Sequence, residues 1–203
     1  MNDHYYSNKP QSASDRQAFE TVLRGFNFRL TSDAGVFSRD GVDYGSRVLI
    51  EHMEIPHEAR ILDIGCGYGP IGLTAARLAP QGHVTLIDIN ERAVELSKHN
   101  AAANAIHNVS FAQSDLYAAV AGEVYDVILS NPPIRAGKVV VHSLFAESWK
   151  HLMPGGTIWV VIQKKQGAPS AKAKLEEIYG EDAVVEVGKD KGYRIYRCTK
   201  NGE

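Results

Sequence analysis

The sequence predicts a doubly wound α/β fold, and three stretches carry that expectation. Ala59, Ile61, Leu62 and Ile64 form an apolar run of the kind found in a strand covered on both faces. Gly65, Gly67 and Gly69 turn the chain at its end, and Pro70 with Ile71, Leu73, Thr74, Ala75 and Leu78 opens a helix at once. Two further apolar runs, residues 83–88 and 125–130, lead into polar groups, namely Asp88 and the turn Asn131-Pro132-Pro133-Ile134. In such folds a ligand binds beyond the carboxyl ends of the strands.

The glycine turn narrows the choice of ligand. Gly67 to Gly72 fits G-x-G-x-x-G, a pattern shared with dinucleotide sites. Asp63, two residues before the first glycine, argues against a pyrophosphate, because a carboxylate there repels phosphate and suits an ammonium group. S-adenosylmethionine (SAM) has an ammonium, a sulfonium and no phosphate, so SAM is expected over NAD. A structural turn is the alternative.

Composition bounds the rest. The 203 residues are 44% hydrophobic, enough for one domain over 1–203, with a cap over 1–55 and a cofactor-binding core over 56–203. No run spans a membrane and no leader pattern is seen, so a cytoplasmic setting is expected. Cys66 and Cys198 have neither disulfide nor metal-ligand spacing, and no metal is expected. A net charge of −2 excludes bulk polyanion binding, leaving any nucleic-acid contact to a local basic patch.

Taken in order, the first sixteen residues are polar and expected to be loose. Residues 25–31 alternate as a half-buried strand, Asp40-Gly41 marks a turn, and residues 46–53 read as a helix. Phe37 and Ser38 are candidates to close over a cofactor, with burial in the core as the alternative for Phe37. Asp88 can accept from two ribose hydroxyls or cap the helix over 91–103, a role open equally to Asn90. Residues 108–112 are expected to form a third strand, after which Ser114-Asp115 can accept from an adenine amine or form an Asx-turn. Asn131 and the Pro132 carbonyl, held by two prolines, can accept from an exocyclic amine or amide and orient its nitrogen toward a methyl donor. A helix is expected over 138–153, stopped by Pro154-Gly155-Gly156, then a buried strand over 157–162. Lys164 and Lys165, with Lys172 and Lys174, either hold phosphates or form a solvated helix face. Residues 183–187 and 193–198 are expected to close the sheet as an antiparallel pair.

Together the motifs resemble the class I SAM-dependent methyltransferases, and among them the small-subunit rRNA guanine-N2 methyltransferases and their short single-domain relatives. The resemblance runs from about Phe26 through Gly35-Val36-Phe37-Ser38-Arg39-Asp40-Gly41 with Asp43 and Gly45, Asp63 to Gly69, Asn131 to Gly137, and Lys191-Gly192-Tyr193-Arg194. It implies a Rossmann-like fold: a seven-stranded, mostly parallel sheet with an antiparallel last strand and helices on both faces. It also implies that Asp63, Gly65, Gly67 and Gly69 hold the methionine part of SAM, Asp88 the ribose, and Ser114 with Asp115 the adenine. Phe37, Cys66, Ile89, Leu116 and Asn131 complete the expected cofactor lining. Asn131 to Ile134 would face the target nitrogen, and Arg135, Lys138, Lys164 and Lys165 would meet RNA. The family usually has an aromatic residue where this chain has Ile134, so base stacking must come from elsewhere, with Arg135 as a candidate. The expected activity is methylation of a guanine N2 in rRNA by a monomer or homodimer. Alternatives are methylation of a protein glutamine, a SAM-binding module without catalysis, DNA adenine methylation, and an NAD oxidoreductase.

Overall fold

The computed structural model describes residues 8–9 and 12–202. In chain order the elements are β1 (Gln17–Leu23), β2 (Phe26–Ser32), α1 (Tyr44–His52), β3 (Arg60–Ile64), α2 (Pro70–Leu78), β4 (His83–Asp88), α3 (Glu91–Ala103), β5 (Val109–Gln113), β6 (Tyr125–Ser130), α4 (Lys138–Ser148), β7 (Leu152–Gln163), α5 (Ala168–Tyr179), β8 (Val184–Asp190) and β9 (Tyr193–Thr199). Among the described residues, strands β1 and β2 pair only with each other, and the other seven form one sheet in the order β5-β4-β3-β6-β7-β9-β8. Strand β9 is antiparallel to β7 and β8, while the pairs from β5 to β7 are parallel. The expected Rossmann-like sheet with its antiparallel last strand is the architecture found.

Strand periodicity divides the core in two. Ile61, Val127, Leu129, Trp159, Val161 and Ile195 pack with residues of α1, α2, α3 and the β1–β2 hairpin. Their neighbours Leu62, Ile128, Ile158, Val160, Ile162 and Tyr196 pack with α4 and α5. Side chains alternate between the faces of a pleated strand, so central strands must be apolar throughout. Asp63 shares the parity of Ile61 and therefore faces α2. The strand order reverses between β3 and β6, and this switch point opens a crevice at their carboxyl ends. The Ser130 hydroxyl donates to the Ile64 carbonyl at 3.0 Å and ties those two ends together.

Several elements differ from the sequence expectations. Strand β1 was not expected; it joins β2 through Arg24-Gly25, both at positive φ, a tight turn that matches strand twist. Residues 1–7 and 10–11 of the segment expected to be loose lie outside the described residues. Residues 14 and 15 of that segment are held, because the Ser14 hydroxyl and the Asp15 N–H both donate to buried Asp33. Helix α4 ends at Ser148 rather than 153, since Leu152 already pairs with Tyr125. Pro154-Gly155-Gly156 lies inside β7, where the pairing with β6 shifts register. Strands β8 and β9 extend to a two-residue turn at Lys191-Gly192.

Candidate functional site

A cavity opens at the switch point, walled by the carboxyl ends of β3, β4, β5 and β6 and by the loop before α1. Of the expected site residues, Phe37, Gly65, Cys66, Gly67, Asp88, Ile89, Ser114, Asp115, Leu116, Asn131, Pro132 and Pro133 line it, as does Ser38. Asp63, Gly69, Ile134, Arg135, Lys138, Lys164 and Lys165 are absent from the lining.

The glycine turn forms one wall. Gly65, Gly67 and Gly69 have φ of 75°, 57° and 103°, a region that penalises any side chain. The Gly65 and Cys66 N–H groups donate to the Ile87 carbonyl, and Gly67 N–H donates to the Asp88 carboxylate at 2.9 Å. Gly72 has a packing role: a Cβ there would stand 2.6 Å from Leu86 and 2.7 Å from Asp63. Its absence lets Gly72 N–H reach Asp63 Oδ2 at 2.8 Å. Asp63 is wholly buried, its Oδ1 has no partner among the described residues, and burial pushes its pKa up to about 7. This carboxylate therefore sits between β3 and α2, behind the cavity surface, where its strand parity directs it.

Asp88 stands at the end of β4. Its second oxygen accepts from Asn90 N–H at 2.9 Å, and burial pushes its pKa up to about 6 against these hydrogen bonds. The N-cap of α3 is Asn90, whose side chain accepts from Arg92 and Ala93 N–H, so Asp88 is not the cap. The Ser114 hydroxyl donates to the Leu116 carbonyl and accepts from Ala119 N–H, so it holds its own turn. Phe37 stays 41% exposed at the rim rather than joining the core. Burial pushes the Cys66 thiol well up, which removes thiolate reactivity.

Opposite the glycine turn lies Asn131, at the end of β6. Its Nδ2 donates to Asp43 Oδ2 at 3.0 Å and to Ser46 Oγ at 3.1 Å. Both partners belong to the first turn of α1: Asp43 is the N-cap and accepts from Ser46 N–H at 3.0 Å. The Pro132 carbonyl, expected to face a target nitrogen, already accepts from Ile134 N–H at 2.9 Å. With Pro133 at φ −75° and ψ 78°, this is an inverse γ-turn. Ile134 turns toward the core beneath α4 and packs there.

The basic residues are dispersed. Lys172 pairs with Glu176 and Lys174 with Glu177 along α5, which makes them a solvated helix face. Arg135, Lys138, Lys164 and Lys165 are exposed outside the cavity.

Sequence reasoning missed Asp43, Ser46, Tyr68, Ala136, Val140 and Leu144 as cavity lining. The pattern Asp43-x-x-Ser46 is a helix-start signal that could have drawn attention to the first two. Tyr68 is 2% exposed, and its hydroxyl, near Ser38, makes no hydrogen bond of good geometry among the described residues.

Comparison with known proteins agrees with this geometry. The family profile of the methyltransferase small domain matches residues 27–197. YbxB of Bacillus subtilis is 52% identical over 202 residues, covering 98% of this chain and 100% of that protein. Ribosomal RNA small subunit methyltransferase C of Escherichia coli is 34% identical over 175 residues, covering 83% of this chain and 50% of the relative. Among solved structures, the T. thermophilus 16S rRNA N2 G1207 methyltransferase (RsmC), in complex with AdoMet and guanosine, superposes with a TM-score of 0.81 at 25% identity, covering 95% of this chain and 52% of that one. The chain thus spans about half the length of these rRNA methyltransferases. With a glycine turn, a strand-end Asp88 and an Asn-Pro-Pro turn meeting in one cavity, the chain belongs to the methyltransferase small-domain family and is a SAM-dependent methyltransferase.

Proposed function

We propose that the chain methylates a guanine exocyclic amine in ribosomal RNA. The observation that carries this reading is the position of Asn131: its side chain lines the same cavity as the glycine turn and Asp88. Relatives that share most of this chain are named as rRNA methyltransferases, which supports RNA as the substrate class and the cytoplasm as the place of action.

The residues present fit SAM. The Tyr68 hydroxyl, in the cavity wall and without a hydrogen bond of good geometry among the described residues, suits a carboxylate, and the orphaned Asp63 Oδ1 puts an acceptor behind the glycine turn, on the side where an ammonium would lie. Asp88 suits vicinal hydroxyls. Asp115 offers an acceptor, and Leu116, Val140 and Leu144 give the same cavity an apolar wall that suits a flat ring. When bound, SAM supplies a methyl group made electrophilic by its sulfonium.

The protein's part is then orientation. An exocyclic amine is a poor nucleophile because its lone pair is delocalised into the ring. Asn131 Oδ1, accepting one N–H, aligns the nitrogen and enriches its electron density. No strong base is needed before transfer, because the methylated nitrogen is acidic and loses its proton to water. Arg135, Lys138, Lys164 and Lys165 are exposed outside the cavity and are cations that could meet phosphates of a bound RNA.

The test is transfer of labelled methyl from SAM to ribosomal small subunits, stripped rRNA and a protein fraction, all from cells lacking the protein. The expected product is N2-methylguanosine after digestion of the RNA. Label confined to the protein fraction would replace this reading with methylation of a side-chain amide, which the same acceptor serves.

A further inference from the structure

The geometry points to Asp43 and Ser46 as positioning residues for methyl transfer: they fix which end of the Asn131 amide faces the acceptor. This inference rests on the reading of Asn131 as the group that meets the target nitrogen.

An asparagine amide is nearly symmetric in shape, and rotation of its terminal torsion exchanges an acceptor for a pair of donors. Only the oxygen can accept from an amine N–H. If Asn131 were flipped, its NH2 would face the amine and compete for the very lone pair that must attack. Rotamer energy alone does not exclude that state, so something else must.

The first turn of α1 excludes it. Asp43 Oδ2 lies 3.0 Å from Asn131 Nδ2, and a carboxylate oxygen accepts without donating. A flipped amide would bring two acceptor oxygens to that separation. Ser46 Oγ takes the second amide hydrogen at 3.1 Å. With both N–H groups engaged on one side, Oδ1 is the atom left for the cavity. Charge adds to geometry: a carboxylate on the N–H side polarises the amide and strengthens its oxygen as an acceptor. The arrangement spans 88 residues of sequence and also caps α1, since the same Asp43 oxygen accepts from Ser46 N–H at 3.0 Å.

Capping and positioning are separable by choice of substitution. Serine is as good an N-cap as aspartate, but its hydroxyl ends a bond short of Asn131. Asparagine caps equally well, and its oxygen can occupy the place of Oδ2 and accept from both donors. In the full chain, Asp43→Ser is expected to slow single-turnover methyl transfer to stripped small-subunit rRNA by roughly tenfold to a hundredfold, with SAM affinity within about twofold of the parent. Asp43→Asn should recover most of the rate.

A second readout is independent of the substrate. The Asn131 side-chain N–H resonances, assigned by their loss in Asn131→Ala, should exchange slowly with solvent in the parent and in Asp43→Asn, and rapidly in Asp43→Ser. Equal protection in Asp43→Ser, or an unchanged transfer rate, would overturn the inference. If the parent labels no RNA, the proposed function fails while the exchange measurement still decides the role of Asp43.

Discussion

Asn131 has one uncommitted polar atom, and the proposed chemistry runs through it. Asn131→Ala should therefore lower kcat by about a hundredfold or more while SAM affinity stays nearly intact. A parallel loss of both, read by calorimetry and methyl transfer, would move Asn131 to the cofactor pocket. Asp63 makes a different prediction. Its pKa is about 7 in the folded chain against an ordinary 3.8. Between those values the folded chain holds a proton that the unfolded chain has lost, so stability falls as pH rises through the window, by on the order of a few kcal/mol. Asp63→Asn, neutral at every pH and able to accept from Gly72, should give a shallower fall in Tm between about pH 4 and pH 7. An identical slope in the variant would show that other groups carry it. Residue types in Asp63-x-Gly-x-Gly-x-Gly and Asn131-Pro132-Pro133 were legible in sequence because each is local. The hold of Asp43 on Asn131 was not, since nothing short of the fold joins positions 88 residues apart.

At the scale of elements, the least legible piece is the β1–β2 hairpin and how it is held. The outer edge of β2 pairs with no strand among the described residues. Asn100 accepts from Thr31 N–H at 2.7 Å and donates to its carbonyl at 2.9 Å, and Asn104 does the same for Arg29 at 2.9 and 2.8 Å. Residues four apart on a helix are about 6 Å apart along its axis, close to the roughly 6.7 Å between alternate residues of a strand. Two asparagines at that spacing on α3 thus imitate a neighbouring strand. Asn100 is wholly buried and also donates to the Tyr68 carbonyl at 2.8 Å. Asn100→Ala would strand three backbone groups, and a loss of about 2–4 kcal/mol is expected in a denaturant titration. A change within 0.5 kcal/mol, about the size of an ordinary surface substitution, would mean that water replaces the amide. In sequence, Asn100 and Asn104 look like polar helix residues, because their partner is an edge that no local pattern reveals. The central strands were legible for the opposite reason: burial on both faces leaves an unbroken apolar run. Helix α4 was over-extended in sequence, as apolar periodicity continues through Trp149 and Leu152 while the pairing of Leu152 with Tyr125 ends the helix.

At the scale of the molecule, the sheet divides the labour. Strands β3, β4 and β5 end in the glycine turn, Asp88 and Asp115, while β6 on the other side of the switch point ends in Asn131. The helices on the two faces of the sheet pack into separate cores, and each core spans both halves. Methyl transfer needs the two halves in register, since an error of about 1 Å in the approach of reacting atoms can cost a hundredfold in rate. The link at the crevice is the Ser130 hydroxyl on the Ile64 carbonyl, buried at the strand ends. Ser130→Ala should slow transfer severalfold with little change in affinity for either substrate, and a kcat equal to the parent's would assign the alignment to the ladder hydrogen bonds alone. In mechanical terms the sheet is a gauge, and Ser130 is the pin that sets its zero. On that account, a side chain that never touches either substrate sets how closely they meet.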